Sequence, residues 1–506
     1  MELQFQALFL FFAFLFSINL LRVITRRPKS VNTSKIPPPG PYKLPFLGNI
    51  HNLIGSCPHQ KLRDLADKYG PLMQLKLGEN PVVVVSSPEV AKEVMKIHDT
   101  VFAQRPRDLL VSKITAYNAL DIVFSPYGDY WRQLRKICIV ELLSSKRVES
   151  FRPIRESEVE NLVKVIASKE GSPINLSKMI FSLMYNITSR AAFGGRSRGQ
   201  EVFVECISES TKLASGFCLA DLYPSCQMLQ WISISRMKLE KLHQQADQIL
   251  EGILEDHREK KGEGFHGEED LVDVLLRLQQ QQELQLSDIN IKAVIHDVFS
   301  AGSETSSTVT EWAISELLKN PKLLQRAQAE VRNVFNSTGR VGEKSIHEMK
   351  FLKALVKETL RLHPSAPLLV ARECRKSCTI KGYEVQEKAR VLTNAWAIHR
   401  DPNYWKDPER FCPDRFLGEG SVDYKGSDFQ YIPFGAGRRI CPGISFAIAD
   451  IELPLAELLY YFDWRFTDGT TPEELDMTEN YGLTVRRKND LVLVPVRHPP
   501  LENILV

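Results

Sequence analysis

A single cysteine, Cys441, stands among three glycines in the stretch Phe434-Gly435-Ala436-Gly437-Arg438-Arg439-Ile440-Cys441-Pro442-Gly443. Glycine lets backbone come close to a flat ligand because it has no Cβ to obstruct it. Nearby backbone N–H groups and the two arginines favour thiolate over thiol. Structural zinc asks for four N or S ligands, so one cysteine does not make such a site. A lone thiolate is instead what an oxygen-activating haem iron uses, because it pushes electron density towards the iron and favours O–O cleavage. Pro442 suits the first turn of a helix through Ile444 to Ala449. The competing reading is a glycine-rich loop around a buried cysteine.

Three other groupings could work with such a centre. Ala301-Gly302-Ser303-Glu304-Thr305-Ser306 places small residues mid-helix, where a planar ligand can approach. The Thr305 hydroxyl can bond back to the carbonyl four residues earlier and loosen the helix there. A hydroxyl holding a water, with the Glu304 carboxylate one residue away, can feed protons to a splitting O–O bond; a plain packing seam of small residues is the alternative. Trp131 and Arg135 are four apart and share a helix face, and an arginine beside a flat pocket suits a carboxylate such as a haem propionate. Arg372 and Arg439 are further candidates for that task. Glu358 and Arg361 are three apart on one face, with Pro408-Glu409-Arg410-Phe411 in a loop downstream. Buried and complete, a Glu358–Arg361–Arg410 network would fix the cysteine loop; exposed, it would be worth under about 1 kcal/mol.

The elements that position these groups are mostly helical. Helical period with charged outer faces runs over Glu156 to Lys169, Met237 to Lys261 and Asp270 to Gln282, and a further helix covers about Asn290 to Leu318. Gly262 to Glu269 reads as a surface loop. Leu72 to Leu77 and Val82 to Val85 flank a turn at Gly78-Glu79-Asn80-Pro81 and read as a hairpin. Ser87 caps the helix that follows. Short strand-like runs return at Thr379 to Gln386 and Leu491 to Val496. A chain of 506 residues with 43% hydrophobic and 25% charged residues can build one large enzyme core. A net charge of +3 argues against nucleic-acid binding driven by bulk charge. The nine cysteines are odd in number and irregular in spacing, which is no disulfide framework, and Cys374 and Cys378 read as ordinary thiols.

The N-terminus is apolar and uncharged from Ala7 to Leu21. Its leucines, phenylalanines and isoleucines favour insertion by roughly 3–7 kcal/mol together, and Met1 to Val23 can span a bilayer. A cleaved signal peptide is the alternative, but Glu2 precedes the run, no Lys or Arg does, and no small-x-small site follows. Arg22, Arg26, Arg27 and Lys29 follow it and hold that flank in the cytosol. Residues 1–24 therefore read as a membrane anchor and 25–41 as a basic, proline-rich hinge around Pro37-Pro38-Pro39-Gly40-Pro41. Residues 42–506 are the catalytic domain.

These stretches together resemble the cytochrome P450 family over essentially the whole chain. Phe434, Gly437, Arg439, Cys441 and Gly443 sit at the spacing of that family's haem-ligand loop, and Trp131 with Arg135 is similar to its propionate-binding helix. Ala301 to Ser306 resembles its oxygen-activation groove, and Glu358, Arg361 and Arg410 its Glu-Arg-Arg network. Phe102-Ala103-Gln104-Arg105-Pro106, Phe124 to Trp131 and Asp428 to Phe434 look like plant microsomal P450s acting on specialised metabolites. The branch they resemble most contains sesquiterpene and diterpene hydroxylases. The resemblance implies a mainly α fold with small β-sheets and haem b ligated by Cys441 and contacted by Phe434, Ala301 and Gly302. It implies a monooxygenase using O2, with electrons from NADPH through a separate NADPH–cytochrome P450 reductase, cytochrome b5 being a further partner. The chain carries no nicotinamide or flavin fingerprint of its own. Arg132, Lys136 and Arg438 are candidates for the docking patch. The resemblance also implies an endoplasmic-reticulum membrane protein, single-pass, in contact with lipid, its catalytic domain on the cytosolic side.

The expected substrate cavity takes in the loop Leu109 to Phe124, then Val294, Asp297, Val298 and Ala301, then Ser365 to Val370 (with Ala366, Leu368 and Val370), and Leu483 with Thr484. An apolar lining of this kind suits a terpenoid. An alkaloid or phenylpropanoid substrate, a reductase-independent isomerase or lyase, and a haem sensor without turnover stay open.

Overall fold

The computed structural model describes residues 36–498 apart from 196–198, 215, 263–268, 282–285, 337–341, 419 and 468. The anchor range and most of the expected loop at 262–269 lie outside the described residues, and among the described residues no helix is long and apolar enough to cross a membrane.

Pro39 accepts a hydrogen bond from the Gln74 N–H at 2.8 Å, so the end of the proline-rich stretch lies along the first strand. After α1 (Pro58–Tyr69), β1 (Leu72–Leu77) and β2 (Asn80–Val85) pair antiparallel in the register Leu72↔Val85 to Leu77↔Asn80. The turn is two residues shorter than expected because Asn80 and Pro81 already belong to the strand. Gly78 turns it at φ +61°, where a Cβ would lie 2.3 Å from the Leu222 carbonyl oxygen. Ser87 caps α2 (Pro88–Lys92) through the Val90 N–H.

The expected helices appear as α3 (Asp129–Ile137), α4 (Arg152–Ala167), α7 (Ile234–Gly262), α8 (Leu271–Gln280) and α9 (Asp288–Lys319), and two that the sequence reading did not include, α5 (Leu176–Phe193) and α6 (Gln200–Leu213), lie between α4 and α7. Asp270 and Ser287 start α8 and α9 with reciprocal capping boxes. Helix α9 is the axis of the molecule: its second half, Ser306 to Leu318, is buried without a break, with α5 and the later α10 (Lys350–Leu362) packed along it. Helix α11 (Ile444–Tyr461) closes the same core. It starts two residues beyond Pro442, with Gly443 at its N-cap.

The small sheets gather at the periphery. Strands β4 (Arg372–Glu373) and β7 (Arg390–Thr393) extend the hairpin into a four-stranded sheet in the order β1-β2-β7-β4. Between them, β5 (Cys378–Ile380) and β6 (Tyr383–Val385) form a hairpin of their own. Strand β3 (Ile174–Asn175) joins β11 (Val492–Arg497) and β8 (Phe462–Phe466), and β9 (Glu479–Asn480) pairs with β10 (Arg486–Arg487).

Candidate active site

The cysteine loop is folded on itself by three backbone bonds. The Cys441 N–H donates to the Phe434 carbonyl, Gly435 N–H to Ile432, and Ile440 N–H to Gly437, each at 3.0 Å. Gly437 has φ +69°, and a Cβ there would sit 2.0 Å from the Met95 carbonyl oxygen, so this turn requires glycine. Cys441 ends up at the floor of a cavity between this loop and α9 that encloses about 1320 Å³ of atom-free space, its open mouth included. Burial raises the Cys441 thiol above its usual range, while the Gly443 N–H and the Arg135 guanidinium pull it back.

One end of the cavity is walled by arginines. Arg439 lies 4.1 Å over the Trp131 ring and donates to the Ala103 and Ile122 carbonyls at 2.8 and 3.3 Å. Trp131 Nε1 donates to the same Ile122 carbonyl at 3.0 Å. Arg372 donates to the Ala436 carbonyl at 2.8 Å and stands 3.4 Å from Asp99. Arg135 donates to the Ile440 carbonyl, and Arg105 to the carbonyls of Val123, Val370 and Ala371. Burial depresses Arg439 to about 9 and Arg372 to about 10, and burial followed by its two arginine neighbours depresses Arg105 as well. Among the described residues Asp99 is the one carboxylate within ion-pair distance of any of these four cavity arginines. So concentrated a surplus of buried positive charge calls for a dianion. Haem carries two carboxylates on a flat ring, and the thiol, the arginines and the Gly302 face of α9 fit it.

Across the cavity, the Thr305 hydroxyl donates to the Ala301 carbonyl at 2.7 Å, the back-bond expected of a loosened helix. Thr305, Ala301 and Gly302 face the same space as Cys441. Glu304 does not. Its buried carboxylate accepts from the Tyr185 hydroxyl on α5 at 2.5 Å and pairs with Arg486 on β10. Successive helix residues lie about 100° apart, so with Thr305 towards the cavity its neighbour looks at α5. Glu304 therefore sits behind Thr305, on the side facing a polar groove between α5, α6 and β10.

The cytochrome P450 family model matches residues 38–494. The chain belongs to the cytochrome P450 family. It is 54% identical to cytochrome P450 71D11 of Lotus japonicus over 96% of this chain and 99% of that one. It is 52% identical to tabersonine 16-hydroxylase 1 of Catharanthus roseus, covering 96% and 97%. A solved zebrafish cytochrome P450, determined with abiraterone, superposes with a TM-score of 0.74 at 24% identity, over 88% of this chain and all of that one, and shows the same fold. This P450 is a monooxygenase, and its haem iron is ligated by the cysteine of the loop, Cys441. Bound there, the haem would supply oxygen activation, and Cys441 and the cavity arginines would hold it.

The network behind the loop is present with one member changed. Arg361 grips Glu358 with two bonds of 2.7 and 2.9 Å, both side chains fully buried. Arg361 also donates to the carbonyls of His399, Pro408 and Arg410. The second arginine on Glu358 is Arg415, at 3.1 Å, and not Arg410, whose side chain is exposed and which contributes its carbonyl alone. Pro413-Asp414-Arg415-Phe416 repeats the Pro408–Phe411 pattern five residues on, and that second copy is the one in reach. Buried, neutral His399 then ties the network to the loop: it accepts from the Ile432 N–H at 2.9 Å and is held to about 3 by burial.

Of the expected substrate contacts, Val298, Ala366 and Val370 line the haem cavity, and Leu368 and Leu483 line an adjoining one that also takes in Val370. Phe434 lines the haem cavity as expected. Val294 is corrected to a core residue: it sits two turns before Ala301, at full burial beyond the end of the cavity. Asp297 borders the cavity, but its carboxylate accepts from the Ile122 and Val123 N–H groups at 2.8 and 3.1 Å and so pins the loop. Sequence reasoning missed Arg105, Tyr185, Arg486 and His399 as site residues. A signal existed for Arg105, an arginine between apolar Phe102-Ala103 and Pro106.

Proposed function

We propose that this P450 inserts one atom of O2 into a small, uncharged, hydrophobic plant specialised metabolite. The observation that carries this reading is the apolar part of the cavity lining. Ile122, Val123, Val298, Ala301, Ala366 and Val370 offer no charge to a ligand, and the one carboxylate among them, Asp297, is occupied by backbone. A terpenoid meets this chemistry. The relatives supply a second reading: tabersonine 6,7-epoxidase isoform 1 and tabersonine 16-hydroxylase 1 of Catharanthus roseus are each 52% identical, so tabersonine-like scaffolds belong beside terpenoids as substrates.

In this reading Thr305 holds the water that passes protons to the reacting oxygen, and Glu304 reloads that water from the Tyr185 side. Reconstituted with reductase and NADPH, the enzyme will convert one of these classes, marked beforehand by displacement of the iron-bound water in its ferric spectrum. Thr305→Ala and Thr305→Val will lower product per NADPH by roughly tenfold or more and raise peroxide, while Thr305→Ser retains coupling. A coupled Thr305→Val enzyme removes the hydroxyl from the mechanism, and a response confined to charged amines removes the uncharged substrate.

The same proposal places the catalytic domain on the cytosolic face of the endoplasmic reticulum. Leu219, Trp231, Ile232, Ile234 and Met237 are exposed, as are Tyr42, Leu47 and Ile54. The two groups adjoin, since the Tyr223 hydroxyl donates to the Phe46 carbonyl at 3.2 Å and Ile54 and Ser235 border one hollow. An apolar face of this extent marks an interaction surface, here continuous with the hinge. Deleting residues 2–24 will leave a haem-binding protein that still associates with lipid vesicles, and adding Trp231→Ser and Ile234→Ser will release it; unchanged vesicle binding in the triple variant rejects this face. Arg132 and Arg438 both stand 5.7 Å from the Tyr127 ring, which gathers positive charge on one patch for an acidic reductase surface.

A further inference from the structure

Away from the haem cavity, Cys57, His59 and Glu479 bring a sulfur, an imidazole nitrogen and a carboxylate oxygen within 4.8 Å of one another. They come from opposite ends of the chain. Cys57 is the N-cap of α1, His59 lies in its first turn, and Glu479 opens β9. His59 is fully buried, with Nε2 2.9 Å from Glu479 Oε2 and, among the described residues, no hydrogen-bond partner for Nδ1. Gln60 Nε2 donates to the same Glu479 oxygen at 2.9 Å. The imidazole is further fixed by the Trp396 ring, 5.0 Å away.

We propose that Cys57, His59 and Glu479 form a binding site for a thiophilic divalent cation, with zinc as the reference ion. One thiolate, one imidazole and one carboxylate are zinc's ordinary ligand types, and a three-ligand site is completed by water. Zinc–ligand bonds of about 2.0–2.3 Å space tetrahedral donors roughly 3.3–3.8 Å apart, inside the present spread. The cation takes the place of the Cys57 proton, which passes to solvent, and of the hydrogen bond between His59 Nε2 and Glu479, the imidazole keeping its one proton on Nδ1, so a new thiolate stands beside the existing carboxylate. The N-terminus of α1 favours the thiolate in the same sense. Cys57 and Glu479 are partly exposed, which gives an ion a way in.

A second trio of the same general kind, His257, Asp270 and Asp273, shows the contrast. There His257 Nδ1 meets the Ile253 carbonyl at 2.6 Å, its Nε2 meets Asp270 at 2.9 Å, and the other Asp270 oxygen caps α8 through the Asp273 N–H at 2.9 Å. That set is a satisfied helix lock without sulfur. Among the described residues the Cys57 thiol has no such partner, and burial followed by the Glu479 charge raises it above its usual range. The position also has a use. Two residues beyond Glu479, Tyr481 lines the outer cavity that Leu483 also borders. An ion here cross-links α1 to the β9–β10 turn and stiffens that wall.

The test uses the full-length haem-loaded enzyme. Dialyse it against buffered zinc and measure zinc per haem by elemental analysis, beside Cys57→Ser and Glu479→Gln. Serine is itself a good helix N-cap, so Cys57→Ser retains α1. The expected result is one zinc per haem more in wild type than in Cys57→Ser, at least about tenfold weaker binding in both variants, and zinc-dependent protection of Cys57 from alkylation in peptide maps. Equal zinc uptake in wild type and variants, or Cys57 alkylated at the same rate with and without zinc, overturns the site.

Discussion

Cys441→Ser will abolish the red-shifted Soret band of the reduced, carbon-monoxide-bound enzyme and reduce product formation to background. The loop itself will survive the change. Its shape rests on the backbone bonds of Cys441, Gly435 and Ile440 and on the left-handed turn at Gly437, none of which uses the sulfur. What disappears is a soft, electron-rich anion in a buried place. A serine hydroxyl is far harder to ionise there, because burial opposes charge and the Gly443 N–H and Arg135 offset even the thiol's cost only in part. Haem content and the far-ultraviolet spectrum separate loss of ligation from loss of fold. A normal band in a folded, loaded variant would falsify the ligand assignment.

The second large effect is on stability. Arg361→Leu will cost about 3–5 kcal/mol, because it strands Glu358, fully buried, without its bidentate partner. Three backbone carbonyls lose a donor as well. Against a total stability of about 5–15 kcal/mol, little loaded protein will accumulate at growth temperature. Arg410→Ala will change stability by less than about 0.5 kcal/mol, since its exposed side chain takes no part. Arg415→Ala will fall between the two. Urea midpoints followed by circular dichroism rank the three. Arg410→Ala as damaging as Arg361→Leu would mean that the network has been assigned to the wrong side chains.

That pair of arginines shows where sequence reading stops. Glu358 and Arg361 were legible because a helix fixes side chains three apart on one face. The partner across the loop was not, since Arg410 and Arg415 sit in near-copies of one pattern and only the path of the chain decides which reaches Glu358. The side to which Glu304 turns was hidden for a different reason: a motif treats adjacent residues as one site, while the helix turns them about 100° apart. Val294 shares the Ala301 face, but no periodicity reveals how far along α9 the cavity extends. The β1–β2 hairpin, the Ser87 cap, the extent of α9 and the Thr305 back-bond could be read because each rests on local chemistry within a few residues.

The four cavity arginines also bear on the stability of the fold. They enter at positions 105, 135, 372 and 439, so closing that wall brings together like charges from distant parts of the chain. Loop closure over such distances is slow, and here repulsion opposes it until an anion neutralises the wall. A dianion that binds this wall and not the unfolded chain therefore adds its binding free energy to the stability of the fold, so loss of haem will lower the unfolding midpoint.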